Sequence, residues 1–242
     1  MTLEKTQGIV LGLYPYNDRT SFAHIYTRRF GRVSYSVPVP RTKRAKLPKS
    51  LFAPFMMLDM EVEHAATREV QRIQEARIAA THYNLYTDPV KSAVLFFLAE
   101  MVSRTVREQE ANPAFFDYLT GTIELFDLIE DGKANFHFAF LIGLADFTGI
   151  RIARETYGEG FFFDMMEGSF VDRRPMHPYF LAPAEGSRFH DLLGISFATL
   201  SDYRFTRAER RQMLDWLVGY FRLHLPNLEE IRSLEISSAL FG

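Results

Sequence analysis

The chain has no cysteine. That excludes a disulfide framework, thiolate zinc ligands and a cysteine nucleophile. Acidic residues are missing from one long stretch: no Asp or Glu occurs between Asp18 and Asp59. Long apolar runs are also lacking. The longest, roughly 136–150, is interrupted by His137 and Asp146 and is too short to span a bilayer. The N-terminus shows no basic segment followed by an apolar one, so no signal peptide is expected and a cytoplasmic location is. Catalytic signatures are absent as well: no G-x-S-x-G elbow, phosphate-binding P-loop, G-x-G-x-x-G or H-E-x-x-H occurs.

What the chain does contain is asymmetrically placed. Nine cations fall in the acid-free stretch: Arg19, Arg28, Arg29, Arg32, Arg41, Lys43, Arg44, Lys46 and Lys49. The other 19 of the 28 cations share the rest of the chain with all 30 anions. A basic segment on an acidic body points to a surface for polyanions, the alternative being a solvated basic face. Residues 40–50, PRTKRAKLPKS, concentrate five of the nine, with Pro40 and Pro48 restraining the backbone near its ends. Phe22, Tyr26, Phe30 and Tyr35 are interleaved with Arg19, Arg28, Arg29 and Arg32, a mixture suited to phosphates and unstacked bases. The competing reading makes these rings barrel core. Phe30, between arginines at a turn, is the first candidate for stacking.

Period-two alternation marks strands through Ile9, Leu11 and Leu13 and through Val33, Tyr35, Val37 and Val39, with a hairpin turn at 29–32. Residues 51–64 predict a further strand with an edge or bulge at Pro54, and 70–79 a strand or a helix start. Helix signals take over after Ala80. Asp88-Pro89 and Asn112-Pro113 each pair an N-cap residue with proline at the first helical position, and Thr206 with Glu209 forms a capping box. Residues 136–149 predict a buried helix. GEGFFFDMMEGSFV predicts a hairpin turning at Glu167-Gly168, followed by a proline-rich stretch. Four or five short strands in the first eighty residues suggest a small barrel or sandwich, and the helix signals after them make the expected fold class α+β. Glu155, Asp164, Glu167 and His177 could gather around a metal, but scattered surface polars are the simpler reading, and neither metal nor cofactor is expected.

The run TQGIVLGLYPYNDRTSFAHIYTRRFGRVSYSV resembles the start of the RecO family of bacterial recombination mediators. The shared pattern is a Thr-x-Gly-Ile-Val-Leu strand, a Tyr-containing turn, a strand ending in Tyr-Thr and a Gly hairpin. PRTKRAKLPKSLFAPF matches the basic loop and Pro-Phe pair that follow, and RRQMLDWLVGYFRLHLPNLEEIRSLEI resembles the C-terminal run of Bacteroides-like members. The resemblance implies an N-terminal OB-fold β-barrel over 1–80 and a mainly α-helical domain over 81–242 with a small β-hairpin insertion near 158–190, in a non-enzymatic protein that binds single- and double-stranded DNA and anneals strands. It also implies binding to RecR and to the tail of single-strand-binding protein, and help in placing RecA on DNA. Arg151, Arg154 and Arg207 are candidate cations for that acidic tail. The alternative is a protein-interaction adaptor whose helical domain carries the essential contacts. Two departures stand out. Many relatives carry a four-cysteine zinc site where this chain has GEGFFFDMMEGSFVDRRPMHPYFL, so apolar packing by Phe161, Phe162, Phe163, Met165, Met166 and Phe170 is expected instead. Asn17-Asp18 stands where many relatives have Gly-Glu.

Overall fold

A computed structural model describes residues 2–40, 45–65, 67–106 and 110–225, with 228, 231 and 233. Contacts divide the chain into two compact units, Met1–Leu128 and Ile129–Gly242.

In the first unit, five strands close into a barrel in the order β1-β2-β3-β5-β4. They are β1 (Thr2–Asn17), β2 (Thr20–Thr27), β3 (Gly31–Pro38), β4 (Met57–His64) and β5 (Val70–Ile78). Alternation in β3 sends Val33, Tyr35 and Val37 inward, where they meet Val10, Ala23, Ile25, Leu58, Met60 and Val62. Tyr35 is fully buried and so belongs to the core rather than to a binding face. The segment 70–79 resolves as strand. The expected strand over 51–64 is corrected at its start: Lys49–Phe52 is a 3-10 turn, and only Met57–His64 pairs. Pro54 lacks the N–H a ladder needs, and Phe55 sits at φ 60° with its N–H donated to the Val10 carbonyl (2.6 Å). The turn plugs the barrel with Leu51 and Phe52.

Three helices complete this unit: α1 (Tyr83–Thr87), α2 (Pro89–Thr105) and α3 (Pro113–Leu128). Asp88 caps α2, its Oδ1 accepting from the N–H groups of Val90 (2.8 Å) and Lys91 (3.1 Å). The Asn112 side chain caps α3 through the Phe115 N–H (3.0 Å). Lys91 is fully buried and donates from Nζ to the Asp127 carbonyl (2.9 Å), which ties α2 to α3.

The second unit holds α4 (Phe136–Phe147), a three-stranded sheet of β6 (Phe162–Asp164), β7 (Ser169–Val171) and β8 (Phe180–Leu181), then α5 (Pro183–Leu192) and α6 (Arg207–His224). α5 lies inside the stretch whose prolines suggest only turns. Pro183 takes its first position, and Glu185 folds back to accept the Ala182 N–H (3.1 Å). The β6–β7 hairpin turns at 165–168. Phe163 and Phe170 bury completely or nearly so, packing on Phe189 and Tyr220, whereas Met166 points to solvent and takes no part. The turn is closed by polar contacts. Asp164 Oδ1 accepts from the N–H groups of Met166 (2.9 Å) and Glu167 (3.1 Å), and Oδ2 lies 3.2 Å from His177 Nε2. Tyr220 donates its hydroxyl to the Arg151 carbonyl (2.6 Å) beside Gly168. Aromatic packing and one carboxylate thus hold the hairpin together. No helix among the described residues is long and apolar enough to cross a membrane.

Candidate nucleic-acid interface

The six described cations of this stretch are neighbours in sequence but divide in space. β2 and β3 form a hairpin in register from Thr27↔Gly31 at one end to Thr20↔Pro38 at the other. Strands of eight residues at about 3.3 Å each set the two ends about 25 Å apart. Arg28 and Arg29 stand at the hairpin turn. Arg19, Lys46 and Lys49 stand at the opposite end, with the Arg19 carbonyl accepting the Val39 N–H (2.9 Å). Arg41, Lys43 and Arg44 belong to the same stretch but lie outside the described residues.

The two groups differ in their surroundings. Arg28 pairs with Asp117 and lies over the Phe116 ring (4.9 Å), and Arg29 pairs with Glu4. The groove beside them, about 770 Å³, is lined by Lys5, Arg28, Arg29 and Arg77 but also by Asp59, Glu61 and Glu75. Arg32 is half-buried and committed, donating to the Val106 carbonyl (3.2 Å) and to His24 Nδ1 (3.1 Å). Burial first, then the Arg32 charge, holds His24 down at about 4, so its ring is neutral and can accept that bond. At the other end, the barrel mouth opens as a cleft of about 300 Å³ lined by Leu13, Pro15, Val39, Pro40, Phe52 and Lys49, with Asp18 as its single carboxylate among the described residues. Arg19, Lys46 and Lys49 are exposed there, and none forms an ion pair with a described carboxylate. Among the described residues this end sets three exposed cations against one carboxylate, whereas Arg28 and Arg29 at the turn end are each paired with an acid.

The interleaved rings separate in the same way. Tyr26 is buried under the edge of Phe115 (centroids 5.0 Å apart). Phe30 is half-buried, one face stacked on His64 at 3.9 Å. Phe22 is half-buried on the outer face of β2, where it touches Tyr16 (4.7 Å) and pairs across the strands with Tyr14. Tyr14 in turn contacts His24 (4.8 Å). Sequence reasoning passes over Tyr14 and Tyr16. The signal was available, since the outward phase of β1 continues through them to the Asn17–Arg19 turn and faces Phe22 across it.

In the second unit, Arg151 pairs with Glu155 (2.8 Å) and Arg154 donates to the Leu193 carbonyl (3.3 Å). Arg207 opens α6, about 20 Å along the helix from Tyr220, the residue that touches Arg151. These three arginines do not form one cluster. Glu155, Asp164, Glu167 and His177 do not gather either. Asp164 is occupied by the turn amides and Glu155 by Arg151, and the described residues contain no group of three or more His, Asp or Glu placed to hold a metal.

A closed five-stranded barrel with helical elements after it places the first unit among the OB-type barrels, whose walls and loops are used across many proteins to bind oligonucleotides and oligosaccharides. Residues 1–82 match the family model described as Recombination protein O N terminal, and residues 86–235 the one described as Recombination protein O C terminal. Among similar proteins is the DNA repair protein RecO of Phocaeicola vulgatus, 38% identical over 240 residues, covering 99% of this chain and 100% of the relative. The DNA repair protein RecO of Bacteroides fragilis is 35% identical over 240 residues, and that of Azobacteroides pseudotrichonymphae 34% over 239; each covers 99% of both chains. The chain belongs to the RecO family.

Proposed function

We propose that this protein acts in DNA repair as a recombination mediator. It binds single- and double-stranded DNA, anneals complementary strands, and helps load RecA onto DNA coated with single-strand-binding protein. RecR and the C-terminal tail of single-strand-binding protein are its protein partners, and the activity is non-enzymatic. Family membership supports the general role. The observation that carries the DNA-binding part is the barrel mouth, where Arg19, Lys46 and Lys49, all in the acid-free segment, are exposed and form no ion pair with a described carboxylate. Cations in that state contact phosphates and release condensed counterions, giving affinity without sequence preference. Arg41, Lys43 and Arg44 add charge to the same stretch. Annealing requires two phosphate backbones to approach, and one concentrated positive surface lowers their mutual repulsion. Arg28 and Arg29 contribute less in this account, because Asp117 and Glu4 offset their charge.

The test is annealing of two complementary labelled oligonucleotides. The wild-type protein should accelerate it, and the Arg19→Glu, Lys46→Glu, Lys49→Glu triple variant should not, while keeping its circular dichroism spectrum. Equal acceleration by both proteins overturns the reading. A second reading, an adaptor in which DNA contact is secondary, is favoured by the exposed Met176 and Tyr179 beside Arg173 and Arg174 in the second unit. An acidic peptide ending in Phe would find apolar and cationic partners there. Loss of peptide binding on Arg173→Glu, Arg174→Glu, with annealing intact, would support it.

A further inference from the structure

The outer face of the β1–β2 hairpin carries a row of rings that the barrel does not need. Tyr16 is 67% exposed and Tyr14 44% exposed, and neither belongs to the core. Phe22 lies between them, in ring contact with Tyr16 and directly opposite Tyr14. Toward the other end of the hairpin the same face is covered: Tyr26 packs on Phe115, and the Tyr14 hydroxyl reaches Ser103 Oγ (3.4 Å). The cover ends there. Beyond Tyr14, whose ring rests on His24 and keeps one part exposed, the half-buried Phe22 and the exposed Tyr16 lead to the tip, the Asn17–Arg19 turn, locked by the Asn17 side chain accepting the Arg19 N–H (2.9 Å). The row therefore runs from a buried anchor to open rings with a cation at its end. Asp18 is the carboxylate beside that cation.

We propose that Tyr16, Phe22 and Tyr14 form a stacking platform for the bases of single-stranded DNA, with Arg19 holding the adjoining phosphate. The proposal rests on the DNA-binding reading above and adds what that reading leaves open, the selection of single strands. Every base has a flat face that stacks on an aromatic ring, so the contact is tolerant of sequence. A duplex offers no such face along its length, because its bases are already stacked on one another. The positive mouth then serves both forms of DNA, and the ring row serves only the open one. Charge complementarity is the argument for this occupant, since the rings border the acid-free segment that starts at Arg19.

The test compares three probes against the full chain: a thymidine oligonucleotide, the same length of abasic strand, and a duplex. Tyr16→Ala should weaken the thymidine strand about tenfold or more, leaving the abasic strand and the duplex unchanged. Tyr16→Trp should retain affinity, and its added fluorescence over native Trp216 should be quenched by the thymidine strand but not by the duplex. Unchanged affinity for the thymidine strand overturns the platform while leaving phosphate binding in place. Equal losses on all three probes also overturn it, since the contact would then be to the backbone. A wild-type protein that binds none of the probes overturns the DNA-binding reading itself and the platform with it.

Discussion

Gly168 is where the cysteine-free hairpin is most open to a decisive test. Its φ is +65°, in the left-handed region, and its carbonyl accepts the Ala153 N–H (2.7 Å). A Cβ there would sit well inside contact distance of both the Tyr220 hydroxyl and the Arg151 carbonyl, the two ends of one hydrogen bond. Neither neighbour can yield cheaply. Arg151 offers backbone, and Tyr220 is fully buried against Phe163 and His224. The left-handed conformation alone costs an alanine about 1–2 kcal/mol. Losing the Tyr220–Arg151 bond adds about 1 kcal/mol, and overpacking about 1–3 kcal/mol. Gly168→Ala should therefore destabilise the second unit by about 3–6 kcal/mol. Gly160→Ala is the control: its φ is +78°, but a Cβ would meet no atom within 4 Å, so only the backbone cost of about 1–2 kcal/mol applies. Trp216, the only tryptophan, lies on α6 and reports this unit in urea denaturation. The two midpoints should differ by about 1 M. Equal midpoints would refute the reasoning, because the hairpin would then not depend on the Gly168–Tyr220 contact.

Other expectations follow from single contacts. Asp88→Ala removes the acceptor for two N–H groups at the start of α2 and should cost about 1 kcal/mol, read from thermal unfolding; no change would mean that the cap is redundant. Asp164→Ala strips both turn amides and His177 of their acceptor and should cost about 2–3 kcal/mol, whereas Asp164→Asn keeps Oδ1 and should cost less. Burial holds His137 at about 3, the Arg210 charge adding to the effect, and His24 at about 4. Both folded values lie below the unfolded 6.5, so this stability is complete above about pH 6.5 and is lost as pH falls toward the folded values. For His137 the slope approaches about 1.4 kcal/mol per pH unit. The urea midpoint read by Trp216 should fall between pH 7.5 and 5.5, and His137→Phe should flatten that fall; a flat wild-type profile contradicts the assignment.

Much of the architecture is written in local signals. Asp88-Pro89, Asn112-Pro113 and Thr206 with Glu209 each mark a helix start because a side-chain acceptor must meet free N–H groups within three residues. β3 shows its inward and outward faces in plain alternation. α5 was hidden because its proline-rich approach reads as turns, although Pro183 at the first helical position initiates rather than breaks it. The strand start at 51 failed for a non-local reason: Leu51 and Phe52 are drawn into the barrel as a plug. The binding surface was legible in charge but not in geometry. Arg28 and Arg19 sit nine residues apart in sequence yet at opposite ends of one strand. Nothing near Arg28 in sequence announces Asp117, which reaches it from α3. The rings of Tyr14 and Tyr16 needed the pairing with Phe22 before they could be seen as one row.

The central claim is that phosphate binding resides at the barrel mouth rather than at the hairpin turn. Its most direct test is fluorescence anisotropy of a labelled single strand over a salt series, comparing the Arg19→Glu, Lys46→Glu, Lys49→Glu variant with Arg28→Glu, Arg29→Glu. Three phosphate contacts at about 0.7 each should take about 2 from the slope of log affinity against log salt in the mouth variant. The turn variant should keep most of the wild-type slope. A full slope in the mouth variant, with the loss appearing at Arg28 and Arg29 instead, would contradict the account.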